Sequence, residues 1–566
     1  MLILHDHVGY ELERPKRAIL RCDGANVPSQ FSVLRESDGA VVLSGQPSGG
    51  VGVDRWPGGP YAVLDFSALE EAGRYVLSVD GQRSASFRVG PSQLLRSTAF
   101  DVMDYFKSQR CTGASDRADF SVPIEGSERR VDVHGGWYDA SGDRSKYLSH
   151  LSYANFFNPQ QTPLVPWVCA AAWTRLEAQA GDALVDTIRE RLLEEAAHGA
   201  DFLVRMLDES GAFYMTIFDG WSHDPDKRSV CSYRDVTGTK LTQWQAAFRQ
   251  GGGMAIAALA RVAGTDAPGE YDKARYLETA RRAMSYLVEH GRQWLPDGTE
   301  NIIDDYCALL AGVELQRVTK DDTYLSFARD RAASLISRVY DGGDGLGGYL
   351  RADDAHRPYF HAAEAGLPVL ALLEYIDIES DETRRNAADN AVRKIMTAEL
   401  ARVDASTNPF GLARQVVVNT KGERRVSFFM PHDNETGYWW QGENARLGSL
   451  AAAARSAAAY FGDNADAELR EGLQAYATAQ LDWVLGTNPY DVCMLHGHGH
   501  NSPHYSDGCP PSAGGIANGI TADPEDELGR PCYDPPEAHG RADKAWRWTE
   551  QWLPHSTWFL MAIASG

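Results

Sequence analysis

A chain of 566 residues with 43% hydrophobic and 23% charged residues has the composition of a folded globular protein, and its length predicts several domains or one large repetitive one. Its 55 lysines and arginines against 78 aspartates and glutamates give a formal charge of −23. Such a field repels nucleic acid and anionic membranes and attracts a cationic ligand, so we expect neither a nucleic-acid nor a membrane partner.

The N-terminal stretch MLILHDHVGYELERPK lacks the basic and apolar regions of a secretion signal. No later stretch approaches the ~20 apolar residues of a membrane span. The eight cysteines are scattered without a CxxC pair, which does not suggest a disulfide framework or a zinc ribbon. We therefore expect a cytoplasmic protein with free thiols.

The first part of the chain has the pattern of short β-strands. Alternating runs such as QFSVLRE and RYVLSVDGQRSASFRVG are separated by turn residues, and Asp80-Gly81 is typical of a tight hairpin turn. We predict a small antiparallel β-sandwich over residues 1–91, joined by a Gly-Pro pair to a second domain over 92–566.

From residue 92 onward, helical periodicity replaces the alternation. Helical patterns occur near 96–109, 165–180, 183–207, 243–263, 269–290, 303–318, 321–338, 361–376, 381–401, 442–461, 464–485 and 549–564. Because these helices follow one another without strands, they predict a mainly α domain of helical hairpins closed into an (α/α)6 barrel. Small, apolar segments such as GGGMAIAALA predict inner helices, and charged stripes predict outer ones.

Four long connections interrupt the helices, at 111–164, 211–242, 404–441 and 486–548. Connections of this length in a compact fold are usually functional. They are rich in glycine, tryptophan, histidine and acids, and this mixture suits a sugar, whose C–H face stacks on aromatic rings while its hydroxyls bind polar groups. We therefore expect an oligosaccharide site at one mouth of the barrel.

Three acids are the candidates for catalysis. Asp139 and Asp143 share the segment GGWYDASGDRSKY, and Glu550 stands among tryptophans in WRWTEQWLPHSTWFL. Glycosidic hydrolysis needs one protonated and one ionised carboxyl group. Two aspartates on one loop suit the holding of a water, and the tryptophans would raise the pKa of Glu550 toward that of a usable acid. The residues alone equally allow a turn or capping role for Asp139 and a capping-box role for Glu550.

Further residues are candidates for substrate binding: Trp137, Tyr138, Asp304, Asp305, Tyr306, Trp439, Trp440, His496, His500 and Trp552. The acids at 304 and 305 are suited to a substrate ammonium group, and a role at a helix N-terminus explains them equally well. The tryptophans are either stacking platforms or core residues. Glycines separate the histidines, which favours hydrogen bonds to sugar hydroxyls over zinc. We predict no metal and no cofactor.

Three segments resemble motifs of the family 9 glycoside hydrolases. GGWYDASGD is similar to the family's Asp-Ala-Gly-Asp signature, LGTNPYDVCMLHGHGHNSPH to its Gly-x-Asn-Pro and histidine-rich segment, and WRWTEQW to its C-terminal acid motif. The N-terminal region resembles the immunoglobulin-like module of many members. The resemblance implies an immunoglobulin-like β-sandwich, an (α/α)6 barrel and single-displacement hydrolysis with inversion.

The resemblance also implies roles for the three acids. Glu550 is the expected general acid, Asp143 the general base and Asp139 the partner that helps to hold the water. This loop has one residue more between its acids than the common Asp-Ala-Gly-Asp, so the division of roles between the aspartates stays open. Inversion implies a gap of about 6.5–9.5 Å between the acid and the base.

For the substrate, the segment that begins at Asp139 and the segments that contain Trp439 and Trp552 resemble the family's bacterial intracellular exo-β-D-glucosaminidases. That resemblance implies removal of glucosamine from the non-reducing end of chitosan oligosaccharides, and the charge of −23 fits a cationic sugar. The alternative is a cellodextrinase or endo-β-1,4-glucanase. A carbohydrate-binding protein would not need the three acids, and a polysaccharide lyase would use a Tyr or His base with Arg or a metal against a uronate.

Overall fold

The computed structural model describes the chain apart from residues 151–155, 233–241, 404–405, 438, 463–466, 506–507, 534–544 and 566. A β-rich region ends at Gly90, and a mainly α-helical region begins at Gln93. The structure thus has the predicted order of a β-rich domain followed by a mainly α domain. The boundary predicted after residue 91 falls between the last strand of the first region and the first helix of the second.

The β-rich region consists of short strands in two sheets. The strands are β1 (Leu2–Leu4), β2 (Tyr10–Glu11), β3 (Arg17–Arg21), β4 (Phe31–Arg35), β5 (Val41–Gly45), β6 (Ser48–Val51), β7 (Tyr61–Asp65), β8 (Gly73–Val79), β9 (Gln82–Arg83) and β10 (Phe87–Gly90). One sheet has the order β1-β3-β7-β6, and the other has the order β2-β10-β8-β4-β5 with β9 on β8. Alternate residues of β8, namely Tyr75, Leu77 and Val79, are buried in a core of their own, as the alternation predicts.

The second region is built from helices. They are α1 (Gln93–Gln109), α2 (Gly113–Asp119), α3 (Leu164–Arg175), α4 (Ala183–Arg205), α5 (Gly253–Ala263), α6 (Lys273–His290), α7 (Ile302–Thr319), α8 (Asp322–Ser337), α9 (Leu367–Ile378), α10 (Glu382–Ala401), α11 (Asn444–Phe461), α12 (Ala467–Leu485), α13 (Trp546–Thr549) and α14 (Leu553–Ala564). Neighbouring contacts run from α3 to α5, α7, α9, α11, α14 and back to α3. Each of these helices also packs against a second one, in the pairs α3-α4, α5-α6, α7-α8, α9-α10, α11-α12 and α14-α1.

Burial separates the two sets of helices. Nearly every residue of α7 and α14 is buried, whereas α10 buries only Ala388, Ala391, Val392 and Met396. The helices that are buried on nearly all sides therefore line the inside, and the helices with one apolar stripe cover them, as expected from their sequences.

Two predicted helices begin more than five residues later than their patterns indicated. The helix expected from residue 243 begins at Gly253, because Phe248–Gly252 forms an irregular turn in which Gly251 has a φ of +97°. The helix expected from residue 361 begins at Leu367, with Pro368 in its first turn. The start expected at residue 464 lies outside the described residues.

The connections between the helices contain short strands that the sequence did not reveal. These are β11 (Val122–Pro123), β12 (Arg130–Val131), β13 (Lys146–Tyr147), β14 (Thr216–Phe218), β15 (Ser229–Cys231), β16 (Val339–Tyr340), β17 (Tyr349–Leu350), β18 (Gln415–Val418), β19 (Arg424–Ser427), β20 (Thr521–Asp523) and β21 (Asp526–Cys532). The small sheet β13-β14-β15 joins two of these connections. The described parts of these two connections are therefore hydrogen-bonded to each other.

Buried polar groups tie the two regions together. Arg455 of α11 forms an ion pair with Glu11 of β2 at 2.5 Å. Asp6 of the β-rich region is fully buried, accepts the backbone N–H groups of Val8 and Gly9, and lies beside Asp482 of α12. Burial raises the pKa of Asp6 to about 8. Among the described helices, none combines the length and the apolar composition needed to cross a bilayer.

Candidate active site

Asp139 and Asp143 lie in a tight loop that follows β12 and leads into β13. Gly142 closes this loop with a φ of +87°, and a Cβ there would lie 1.8 Å from the carbonyl oxygen of Gly508, so only glycine fits. The Asp139 N–H donates to the Ser145 carbonyl at 3.0 Å, and the Asp143 N–H donates to the Ala140 carbonyl at 3.1 Å. Backbone hydrogen bonds thus fix the position of both acids.

Glu550 lies in an extended break between α13 and α14, with φ −62° and ψ 133°. The prediction that it begins the last helix is wrong, because that helix begins at Leu553 with Pro554 in its first turn. A capping-box role for Glu550 is thereby excluded. The break leaves the side chain of Glu550 half-buried in the loop region rather than inside a helix.

Ser141 and Gln551 join the aspartate loop to the Glu550 segment. The Ser141 N–H donates to the Gln551 carbonyl at 2.8 Å, and the Gln551 N–H donates to Ser141 Oγ at 3.0 Å. The Tyr105 hydroxyl donates to the same carbonyl at 3.0 Å. Ser141 stands between the two aspartates, so the longer form of the motif supplies the residue that holds Glu550 beside them.

Asp139 is buried beneath an aromatic and amide cover. Trp552 Nε1 donates to Asp139 Oδ1 at 3.0 Å, and the Gln161 side-chain amide donates to the same oxygen. The other oxygen, Oδ2, lies 3.6 Å from His150 Nε2. Burial raises the pKa of Asp139 well above its ordinary value, and the nearby charges of Asp143 and Glu550 raise it further, against the two hydrogen bonds.

Asp143 and Glu550 differ in how well the protein stabilises their charge. Asp143 Oδ1 accepts the backbone N–H groups of Arg144 at 2.6 Å and Ser145 at 2.9 Å. Burial raises the pKa of Asp143, and these bonds oppose the rise. Burial raises the pKa of Glu550 to about 8, the charge of Asp143 adds to the rise, and a single 3.3 Å hydrogen bond from Asn518 Nδ2 opposes it among the described residues. At neutral pH, Glu550 keeps a proton while Asp143 is the better anion.

Aromatic rings surround the Asp139 carboxyl. The ring of His150 lies 4.1 Å from Trp439, 6.2 Å from Trp552 and 5.3 Å from Tyr147, measured between centroids. Burial lowers the pKa of His150 to about 3, so its ring is neutral. Trp439 and Trp552 thus lie near the Asp139 carboxyl, and their contact with substrate stays a prediction.

Trp440 lies one step away from this cluster. Its ring stacks on the ring of His432, with centroids 3.9 Å apart. The Arg547 guanidinium lies 4.2 Å from the centroid of the Trp440 ring. Trp548 lies 6.0 Å from it, edge to face. Trp440 therefore belongs to a second aromatic group beside the Glu550 segment, and a stacking role toward sugar stays a prediction for it.

Trp137 and Tyr138 support the loop from below. Trp137 is fully buried against His198, with ring centroids 4.9 Å apart, so the prediction that it contacts substrate is corrected to a core role. The Tyr138 hydroxyl donates to the Thr112 carbonyl at 3.2 Å, and Arg144 lies over its ring. The contacts of Tyr138 are thus structural, because its hydroxyl and one face of its ring already have partners.

A buried ion cluster lies under the same loop. Lys146 Nζ lies 2.7 Å from Asp119 Oδ2, and Arg228 Nε lies 2.6 Å from Asp119 Oδ1. Lys146 also donates to the carbonyls of Val133 and Gly135. The cluster anchors β13 directly after the aspartate loop.

Asp304, Asp305 and Tyr306 open α7 and are occupied by internal partners. Asp304 completes a capping box with Asn301 and forms an ion pair with Arg249 at 3.1 Å. Asp305 Oδ2 lies 2.6 Å from Arg338 Nε. Tyr306 is fully buried, and its hydroxyl donates to Glu364. The prediction that these residues bind substrate is corrected, since the capping box, the ion pairs and the buried hydrogen bond already occupy their side chains.

The two predicted histidines lie in different places. His496 lies edge to face with Tyr505, with centroids 5.2 Å apart, and the Tyr505 hydroxyl lies 3.5 Å from Gln551 Nε2. His496 is therefore on the side of the acids. His500 lies at the junction with the β-rich region, so its predicted contact with substrate is corrected.

His500 shares Asp491 with His7, and this group has the residue types of a metal site. The Nε2 atoms of His500 and His7 lie within hydrogen-bond distance of the Asp491 carboxylate, at 3.1 and 3.0 Å respectively. The two imidazole rings are stacked, with centroids 3.5 Å apart. The His500 backbone N–H donates to His7 Nδ1, so the proton of neutral His7 lies on Nε2, where a metal would have to bind. The group fits a hydrogen-bonded clasp between the two regions better than a metal site.

Several residues of the site were missed by sequence reasoning. Gln161 and His150 contact Asp139, Asn518 contacts Glu550, and buried Asp219 accepts the Ser145 hydroxyl at 3.5 Å. These residues stand in irregular connections, so no periodic pattern marks them. The only available signal was the abundance of polar residues next to tryptophan and glycine in those connections.

Two family models match the chain. The model of "Glycosyl hydrolase family 9" matches residues 96–507, and the model of "Cellulase N-terminal ig-like domain" matches residues 3–84. The first match spans more than half of the chain and contains both aspartates. The second spans most of the β-rich region.

Characterised relatives and a solved structure are similar to parts or all of the chain. Endoglucanase C of Cellulomonas fimi is 32% identical over 173 residues, which are 25% of this chain and 15% of that protein. A cellodextrinase of Butyrivibrio fibrisolvens is 29% identical over 171 residues, 27% of this chain and 30% of that protein. These matches span less than a third of either relative. A metagenome-derived glycoside hydrolase family 9 endoglucanase has the same fold, with a TM-score of 0.66 and 19% identity over 100% of this chain and 98% of that one.

Proposed function

Because this chain belongs to glycosyl hydrolase family 9, a family of glycoside hydrolases that act with inversion, we propose that it hydrolyses β-1,4-linked oligosaccharides of the cellodextrin kind at Asp139, Asp143 and Glu550. One observation carries the proposal. Glu550, a carboxyl that keeps its proton at neutral pH, is held beside Asp143, a carboxyl whose charge two backbone N–H groups stabilise. This is the acid and base pair that single-displacement hydrolysis requires.

In the proposed reaction, Glu550 donates its proton to the glycosidic oxygen as the bond from that oxygen to the anomeric carbon breaks. Asp143 takes a proton from a water that attacks the anomeric carbon from the opposite face. Asp139 holds this water through Oδ2, since Trp552 and Gln161 occupy Oδ1. The product therefore carries the inverted configuration.

The relatives bear on the choice of substrate. Two of them are named an endoglucanase and a cellodextrinase, and the similar solved structure is also an endoglucanase. They favour a glucan oligomer over the glucosamine oligomer that the sequence first suggested, and none of these three is named a glucosaminidase. The cellodextrin reading is therefore the leading proposal.

One observation keeps an exo-β-D-glucosaminidase as the second candidate. Within the described part of the chain, no lysine or arginine forms an ion pair with Asp139, Asp143 or Glu550, and the pKa of each acid is raised by burial. The ammonium group of a glucosamine unit would supply the missing positive charge. A chitosan oligomer is the substrate that such a site would select.

Two coarser features extend the proposal. We take the closed ring of inner and outer helices to be the (α/α)6 barrel of the sequence prediction. Cys22, Cys111, Cys169, Cys307 and Cys493 are buried free thiols, which supports a reducing compartment such as the cytoplasm.

The experiment that tests the proposal compares products from three sets of oligomers, made of glucose, glucosamine and N-acetylglucosamine, by mass spectrometry. Cleavage of the cello-oligomers at the highest kcat/KM supports the leading proposal. Faster cleavage of the chitosan oligomers establishes the second candidate instead. Glu550→Gln is the matched control, since it keeps the size of the side chain and removes the proton donor, and its activity must be lost on whichever oligomer is cleaved.

A further inference from the structure

Asn518 contacts Glu550 through both its backbone and its side chain. The Asn518 N–H donates to the Glu550 carbonyl at 2.8 Å, and Asn518 Nδ2 donates to Glu550 Oε2 at 3.3 Å. The same amide nitrogen donates to the Trp546 carbonyl at 2.6 Å. Asn518 is fully buried, so these contacts hold its side chain in one place.

His555 fixes the orientation of the Asn518 amide. His555 Nε2 lies 2.6 Å from Asn518 Oδ1, and an amide oxygen can only accept, so the imidazole must donate from Nε2. Burial lowers the pKa of His555 to about 3, which makes this neutral tautomer the form present. A flipped amide would place its oxygen against the Trp546 carbonyl and lose that bond. The nitrogen of Asn518 must therefore face Glu550.

This orientation distinguishes the two oxygens of the Glu550 carboxyl. Oε2 accepts the Asn518 N–H, and in a carboxylic acid the accepting oxygen is the one without the proton. We propose, on the basis of the proposed function, that Asn518 and His555 are positioning residues that keep the proton of Glu550 on Oε1, the oxygen that donates to the glycosidic oxygen. Once the proton has left, the same N–H stabilises the carboxylate that remains.

The positioning role of Asn518 and His555 can be distinguished experimentally from a purely structural role. A structural pair would change stability alone, whereas a pair that sets the proton on Glu550 changes how the rate depends on pH and on the leaving group. Loss of a donor to the charged form raises the pKa of Glu550, so the alkaline limb of the kcat/KM profile moves to higher pH. If the Glu550 proton is no longer held on Oε1, only reactions that need protonation of the leaving oxygen become slower.

The test uses Asn518→Leu, which keeps the approximate volume of the side chain and removes its hydrogen bonds. We expect kcat/KM on an unactivated oligosaccharide to fall by about tenfold to about a hundredfold. On a dinitrophenyl glycoside of the same sugar, whose leaving group needs no proton, we expect a fall of less than about threefold, because the general-acid step drops out. The alkaline limb should move to higher pH.

Two further variants separate positioning from folding. His555→Phe should give the same changes in smaller measure, and His555→Gln, whose amide can donate to Asn518 Oδ1, should restore most of the activity. Asn408→Leu is the matched control, because Asn408 is also almost fully buried and, among the described residues, its side chain hydrogen-bonds the backbone of Leu412 in its own loop. It should lower the melting temperature without moving the pH profile. If Asn518→Leu does not fold, the His555 pair carries the test.

The outcomes distinguish this inference from the proposed function. Equal losses of Asn518→Leu on both substrates, or an unmoved alkaline limb, would overturn the inference while a selective loss in Glu550→Gln leaves the proposed function standing. Full activity of Glu550→Gln on the unactivated oligosaccharide would overturn the proposed function itself, and this inference with it.

Discussion

The Trp552 indole offers the sharpest single perturbation of the site. Trp552→Phe keeps an aromatic ring beside Asp139 and removes the N–H that donates to Asp139 Oδ1 at 3.0 Å. Removing a donor from a buried acceptor costs about 1–3 kcal/mol. Asp139 would keep the Gln161 amide as its other side-chain donor, so we expect kcat/KM on a cello-oligosaccharide to fall by about fivefold to about 150-fold, at about 1.4 kcal/mol per factor of ten.

Trp558 provides a matched control on the same segment. It is fully buried in α14, and its indole nitrogen has no hydrogen-bond partner among the residues that the structure describes. Trp558→Phe therefore removes the same atoms without removing a bond to Asp139, and should reduce stability more than kcat/KM. The assay is steady-state hydrolysis at several pH values together with thermal unfolding. Activity of Trp552→Phe within about twofold of the parent, or an equal loss in Trp558→Phe, would refute the role given to this hydrogen bond.

Three further outcomes follow from the contacts described above. Asp143→Asn should lower kcat by about 100-fold to 10,000-fold as expected for a lost general base, and Asp139→Asn by less, whereas the reverse order in steady-state assays would exchange their roles. Lys146→Met should cost about 3–5 kcal/mol in urea unfolding because it leaves a buried aspartate short of a partner, while the exposed control Lys227→Met should cost almost nothing. Asp6 keeps its proton in the folded protein up to about pH 8 but releases it near pH 4 when unfolded, so stability falls by up to about 1.4 kcal/mol per pH unit across that window. Asp6→Asn should therefore be stabilised relative to the parent more at pH 8 than at pH 5, and an equal difference in melting temperature at both pH values would contradict this.

The sequence predicted the parts of the fold that repeat. Period-two alternation located the β-rich region, and long helical periods located the paired helices, because burial on one face leaves a regular trace in the sequence. Helix starts were less predictable. The start of α5 depends on a left-handed Gly251, and that of α14 on the proline that follows Glu550, and both are local events without periodicity.

The site was predictable where a motif carries its chemistry. Asp139, Asp143 and Glu550 stand in segments whose residue types suggested acid and base work, and the structure places them together. Gln161 and Asn518 were not predictable, since each reaches its partner across a long sequence separation.

The wrong predictions of substrate-binding residues have a common cause. Some side chains suit contact with a sugar as well as they suit a core contact or a helix terminus. This holds for Trp137, Tyr306 and the acids at 304 and 305. Their burial depends on the tertiary packing, which residue type alone does not reveal.

The most direct test of the account is a proton NMR time course of cellotetraose hydrolysis by the parent enzyme at neutral pH. The account predicts cleavage in which the first product at the new reducing end is the α-anomer, because water enters opposite to the leaving group under the action of Asp143 and Glu550. A β-anomer as the first product, or intact cellotetraose under conditions in which a chitosan oligomer is cleaved, would contradict it.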